Sequence, residues 1–379
     1  MTQDHRNPVF FVLASVLLIL AISAPAESAG QQSASAQPPN SGQQPTVPSA
    51  GGQPAAVPQA SPSPSPAQPV LIQNQQSCQT HDEIPATVRA ALETAAQQAF
   101  DQASHGDVSG LRAGSTNALQ SSFGGVAAAV MENQAALVGA KTQIRSLYVL
   151  NTGATPGDGH YVCGAFAASG LAAGTAGFNL PGLASGKYAI VIQDVTGPKG
   201  PFAMTTVLED LNAWKLAGFY FRAESANGHD GLWYLLRARE FKAKDQRYNA
   251  WFYYVTSWDL LAAVKFMETN LLGKIIQESA GMQPPDAPLQ GNVTTFSANG
   301  KNYKLTDVSV YRTDNSLDIS LKYAVPSAAD FTATQTDARS LAAAYAARHP
   351  EIKDAFDSIM AHAIDPAGAD VVGLVSLKK

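Results

Sequence analysis

The chain has 379 residues, a formal net charge of −5, 23 prolines and two cysteines. The mild acidity argues against a dedicated nucleic-acid binder, two cysteines are too few for a disulfide scaffold, and no apolar run beyond the N-terminus is long enough to span a bilayer. The sequence has no G-x-S-x-G, H-E-x-x-H or C-x-x-C, so composition and motif point to no catalytic class and no cofactor.

Residues 9–23 are an apolar run. Arg6 precedes it and Ala24-Pro25-Ala26 follows it, a small-x-small cleavage pattern. Residues 1–26 therefore read as a secretory signal peptide, and the mature chain as exported, periplasmic or extracellular. The alternative is an uncleaved anchor, which would be the chain's sole membrane contact. Residues 27–77 read as a disordered linker. From Gly30 to Ser77 there are 48 residues, ten of them Pro and none charged, too little apolar surface to offset chain entropy.

Residues 78–226 form the first folded segment. Ile84, Val88, Leu92, Ala95 and Ala99 recur at helical spacing, with Asp82 as cap and Gly106 as stop. A weaker Ala-rich helix covers 122–137. Alternating runs follow at 144–150, 161–167, 187–195, 202–209 and 213–221, separated by Gly- and Pro-rich turns. Helices followed by an antiparallel meander make an α+β module. Gly182-Leu-Ala-Ser-Gly-Lys-Tyr188 ends like a phosphate loop but has Pro at 181 and Tyr at 188, so it is not one.

The order of elements and the final Ala213-Trp-Lys-Leu-Ala-Gly-Phe219 resemble the NTF2-like (cystatin-like) superfamily, in which a curved sheet wraps a long N-terminal helix. The resemblance implies an apolar cup that serves enzymes, ligand binders or interaction modules. Enzymes of that superfamily place Asp and His in the cup. Asp194, Glu209 and Asp210 lie on the late strands here without a His beside them, so no catalytic residue is assigned.

Cys78 and Cys163 both lie in this segment, and an even count in an oxidising compartment favours a disulfide. The alternative is structural zinc on Cys78, His81, His160 and Cys163, from the mirror-image pairs Cys78-x-x-His81 and His160-x-x-Cys163.

Residues 228–283 are helical and aromatic. Ten of the 34 residues from Trp233 to Phe266 are aromatic. One helix runs through Leu232–Phe241 and another through Tyr248–Trp258. A continuation or third helix carries Leu261, Val264, Met267, Leu271 and Ile275, and Lys244-Asp245-Gln246 marks a break. Ala238, Phe241, Ala250 and Tyr254 resemble the small and aromatic positions of one degenerate tetratricopeptide (TPR-like) hairpin. A single unit cannot bury its own faces, so the resemblance implies docking on a neighbour. Trp251, Tyr254 and Trp258 share a stripe that is expected to pack into the core. The alternative is a groove for a protein or peptide partner.

Residues 291–379 read as a small α+β domain. Strands fall at 293–297, 303–311 and 317–323, with Asn299-Gly300 as a hairpin turn. Asp337 opens a helix through Arg348, Pro350 starts another carrying Ile352, Phe356, Ile359 and Met360, and 371–377 is a last strand. The expectation for the whole is an exported, non-enzymatic binding or scaffold protein. The alternative is a small-molecule binder or hydrolase that uses the NTF2-like cup.

Overall fold

The computed structural model describes residues 77–378 apart from 154–158, 165, 168–169, 172–175, 289–291 and 314. The signal segment and all but the end of the Pro-rich tract lie outside the described residues. The chain is α+β, built on open and mainly antiparallel sheets.

A short strand, β1 (Ser77–Thr80), opens the described chain. Asp82 lies in a 3-10 turn rather than capping the first helix; Glu83 accepts from Thr80 N and Oγ1 there, and Pro85 stands at the helix start. Helix α1 (Ala86–Ser104) ends before Gly106, whose φ of 69° supplies the left-handed turn. The expected Ala-rich helix is divided at Asn133 into α4 (Gly124–Glu132) and α5 (Gln134–Leu137). Two short helices precede it, α2 (Val108–Ala113) and α3 (Asn117–Ser121), capped by Asp107 and Thr116.

The first large sheet adds β2 (Lys141–Thr152), β5 (Gly186–Gly197), β6 (Gly200–Asp210) and β7 (Trp214–Ala223) to β1, in the order β1-β2-β5-β6-β7. Alternation assigns its faces. Leu147, Val149, Ala189, Val191 and Met204 meet the helices, while Tyr148, Leu150, Tyr188, Ile190 and Ile192 point the other way. That second face is covered by a small sheet of β3 (His160–Cys163), β4 (Ala176–Asn179) and β8 (Met267–Glu268). The central sheet is therefore buried on both sides.

The aromatic segment folds as the hairpin α6 (Gly231–Ala243) and α7 (Arg247–Leu261), broken at Asp245, which takes φ 57°. Of the expected continuation of α7 or third helix, the third helix forms, carrying Leu271 and Ile275 but not Leu261, Val264 or Met267. Ala262 is extended, β8 intervenes, and α8 begins only at Asn270 and ends at Ser279. Val264 and Met267 belong to the connection that closes over the first sheet.

The last sheet runs β9 (Thr294–Ala298), β10 (Lys301–Arg312), β11 (Leu317–Ala324), β12 (Ser358–Ile364), β13 (Asp370–Ser376). Asn299 and Gly300 both have positive φ, 54° and 73°, as a two-residue hairpin of type I′ requires. Strands β11 and β12 are parallel and joined across α9 (Phe331–Arg348). Two expectations are corrected. Asp330, not Asp337, caps α9, through Ala333 N. Residues from Pro350 form one 3-10 turn, and Ile359 and Met360 lie in a strand, because Ile359, Ala361 and Ala363 alternate inward.

One carboxylate ties these parts together. Asp259 on α7 accepts from Arg222 Nη2 of β7 at 2.6 Å and from Arg312 Nη2 of β10. Burial works to raise its pKa, but Arg312 and Arg222 outweigh burial and hold it below the usual carboxylate range. A carboxyl with a depressed folded pKa stabilises the fold above its unfolded value of about 3.9 and loses that contribution as pH falls through the folded value. Asp259→Asn should therefore cost about 3 kcal/mol at pH 7, because two guanidinium groups are left without their counter-charge. The gap between variant and parent should narrow as the pH falls through the folded value. Urea denaturation at pH 7 and along the acid limb measures both; an unchanged midpoint at pH 7 would contradict the reading.

Candidate functional site

The helix-facing side of the first sheet is where an NTF2-like cup would open. Here it is filled. Leu92, Phe100, Leu111, Leu119, Phe123, Val126, Val130 and Leu137 all converge on it and are buried. The floor holds two buried polar side chains, Gln193 and Thr206. Gln193 Nε2 donates to Thr142 Oγ1 at 3.1 Å, while Gln193 Oε1 and Thr206 Oγ1 have no partner among the described residues. Neither group titrates in the physiological range, so this floor offers no general acid or base. An open groove of about 530 Å³ lies outside the filled region, between Val108, Arg112, Phe123 and Ala127.

The late-strand carboxylates do not enter the cup. Asp194 and Glu209 have the parity of the opposite face. Asp194 accepts from Arg145 Nε at 2.6 Å, and Arg145 also donates to Glu224. Tyr188 OH donates to Glu209 at 3.2 Å; burial first, then Glu209, pushes that phenol up to about 12. Asp210 is exposed at the strand end. The three carboxylates are thus spread over an ion pair, a phenol contact and solvent, with no shared reaction centre.

Cys78 and Cys163 form a disulfide with Cα atoms 4.9 Å apart. It joins β1, at the edge of the large sheet, to β3 of the small one. With both sulfurs in the bridge, the zinc set Cys78, His81, His160 and Cys163 is overturned, since thiolate ligands are gone. His81 sits by Asp82 at 2.9 Å and His160 by Glu268 at 3.1 Å instead.

The aromatic stripe faces α8. Arg247, Trp251, Tyr254 and Trp258 follow one side of α7. Arg247 donates to the carbonyls of Gly281, Met282 and Gln283, just past α8, and Tyr254 OH to Glu278 on α8. Tyr254 is buried, while Trp251 and Trp258 are half-buried against the same core. A third tryptophan, Trp233, is likewise half-buried against that core. Trp233 on α6 stacks on His229, ring centroids 3.7 Å apart and 4° from parallel, and Arg237 lies 5.6 Å from its centroid. Leu232 and Leu236 beside it are 50% and 58% exposed. Spacings of four residues place His229, Trp233 and Arg237 in one row, the local signal that marks this face in the sequence.

The fold sets His349 Nε2 2.9 Å from Asp286 Oδ2 and packs the tilted rings of Tyr248 and Tyr345 against its own, with centroids at 4.0 and 4.7 Å. Both tyrosine hydroxyls and Asp286 Oδ1 are buried without a partner among the described residues. Burial first, then Asp286, raises the Tyr345 pKa well above its ordinary value. The cluster fixes α7 against α9. No short-range signal announces it, because Asp286 and His349 are 63 residues apart.

Removing the disulfide through Cys78→Ala with Cys163→Ala should cost about 2–5 kcal/mol, read by urea denaturation; an unchanged midpoint would mean that the small sheet holds without it. Trp251→Ala should lower stability by about 2–3 kcal/mol, discounted from a fully buried aromatic. Leu236→Asp on the exposed face should stay within about 0.5 kcal/mol. Paired thermal melts separate packing from display, and the reverse order would reassign the two faces. No family model, curated protein or solved structure matches this chain.

Proposed function

We propose that this is an exported, non-enzymatic binding or scaffold protein that follows a Pro-rich tract and carries an NTF2-like and a TPR-like module. The observation that carries the reading is the filled helix-facing side of the first sheet, with Asp194, Glu209 and Asp210 all off it. A ligand-binding cup needs an accessible concave volume with convergent polar groups. The Cys78–Cys163 disulfide fits an oxidising, exported compartment. Helix α1 followed by an antiparallel meander ending at Phe219 supports the NTF2-like comparison, and the α6–α7 hairpin packed on a neighbouring core supports the TPR-like one. The surface for a protein or peptide partner is the outward face of α6, where Leu232 and Leu236 flank the Trp233 row; exposed apolar side chains beside an aromatic and an Arg are the composition of contact surfaces.

The test uses the native host. Intact-mass analysis of the exported fraction should show a chain lacking residues 1–26. A photo-crosslinking residue at position 236 should capture a discrete partner, and one at exposed Met131 should not. Retention of residues 1–26, or an absence of adducts at 236 alongside saturable binding of a small molecule, would contradict the proposal.

A further inference from the structure

The last sheet ends in two edge strands, β9 and the longer β13. The edges of the first sheet are short or covered: β1 has four residues, and β7 exchanges backbone bonds with the 114–116 loop through Thr116 N to Leu216 O and Leu216 N to Gly114 O. On β9, Arg348 Nη2 donates to Ser297 O at 2.5 Å. Strand β13 is seven residues long, and its centre, Val371-Val372-Gly373-Leu374-Val375, carries no charge. The usual edge protections, an inward charge, a proline or a short length, are missing along it.

The backbone parity of β13 is fixed by its far end. Leu377 N donates to Asp357 O at 2.9 Å, on the β12 side. In an antiparallel pair the N–H and C=O of one residue point the same way and alternate along the strand. Val371, Gly373 and Val375 therefore bond inward to β12. Asp370, Val372, Leu374 and Ser376 present their N–H and C=O outward. Gln335 Nε2, 3.4 Å from Val372 O, makes the one side-chain contact to these groups among the described residues. Helix α9 packs close on the other face; a Cβ at Gly373 would lie 2.2 Å from Arg339 N. The side chains of the even-numbered residues face away from α9, and Leu374 is 51% exposed.

We propose that β13 pairs antiparallel with β13 of a second copy of this chain, about a two-fold axis at Leu374, to make one continuous sheet. This register pairs all of 370–378. Outward-facing residues meet outward-facing residues: Leu374 opposite Leu374, Val372 opposite Ser376, Asp370 opposite Lys378. Each such pair exchanges two backbone hydrogen bonds. The ends supply the charge complementarity. Asp370 also contacts His362 and Lys378 also contacts Asp357, yet their side chains stay 44% and 65% exposed and can serve a second partner. Met360 is the β12 partner of Leu374, so the row Met360–Leu374 continues into its symmetry mate across the junction. Shifting the axis to Val372 sets Asp370 against Leu374, and shifting it to Ser376 sets Lys378 against Leu374; both lose the charge match. An isologous pairing closes as a dimer and leaves no free β13 edge to propagate. The proposal does not depend on the α6 face.

Sedimentation equilibrium of the full exported chain should give twice the chain mass at high concentration, falling toward the monomer on dilution. Hydrogen exchange carries the register: the amides of Val372, Leu374 and Ser376 should be protected only in the dimer, while those of Val371, Gly373 and Val375 are protected in both forms. Leu374→Lys, which sets two ammonium groups face to face, should give a folded monomer by circular dichroism with the even-numbered amides exchanging freely. A monomer at every concentration, or a dimer that survives Leu374→Lys, would overturn the proposal. The first result leaves the edge to a strand of another protein, and the second places the contact elsewhere.

Discussion

Everything after the first sheet is arranged around one partly buried carboxylate. Asp259 sits where α7 ends, between a strand of the first sheet and a strand of the last, and both strands send it a guanidinium. Burying a charge is costly unless it is paired and hydrogen-bonded, so this contact tolerates only one relative placement of β7, α7 and β10. Arg222 also donates to the Asp259 backbone carbonyl at 2.8 Å. Around that point, apolar packing does the larger share of the work. The aromatic side chains of α6 and α7 join those of the last sheet in one core, with Phe252 and Tyr253 against Phe356 and Tyr248 against Tyr345. On the other side, the 262–268 connection lays Ala263 and Phe266 on the second face of the first sheet.

This arrangement has a consequence for function. A sheet covered by helices on one face and by a small sheet and a connection on the other is a packed middle layer. Its apolar side chains serve stability. Several titratable groups tie elements together: Arg145 with Asp194 and Glu224, Asp259 with two arginines, His349 with Asp286. Among the described residues, the outward side of α6, the β13 edge and the groove at Val108, Arg112, Phe123 and Ala127 are all exposed.

Local signals in the sequence were legible where a single residue type dictates backbone geometry. Asn299-Gly300, Gly106 and the break at Asp245 read correctly because positive φ favours those residues. Strand alternation gave four strands of the first sheet to within a few residues, but the run 161–167 does not join them: its strand, β3, belongs to the small sheet. Reading failed where one pattern serves two structures. Phe356, Ile359 and Met360 after Pro350 mimic a helix face, yet Ser358–Ile364 is a strand in which every second residue is buried. The start of α9 was hidden because Thr332, Thr334 and Thr336 dilute its helical signal. Strand β1 abuts the low-complexity tract and is too short to show a period. The long-range ties were invisible: Asp259 is 37 residues from Arg222 and 53 from Arg312. The cysteine pair was the exception, since count and compartment suffice to suggest a bridge.

The first sheet, the aromatic helices and the last sheet form one cooperative body clamped at Asp259. Differential scanning calorimetry of the disulfide-intact chain, followed in parallel by near-ultraviolet circular dichroism, tests it most directly. A single cooperative body gives one transition, coincident by both probes, with calorimetric and van't Hoff enthalpies equal. Two resolved transitions, with the aromatic signal lost separately from the rest, would contradict it.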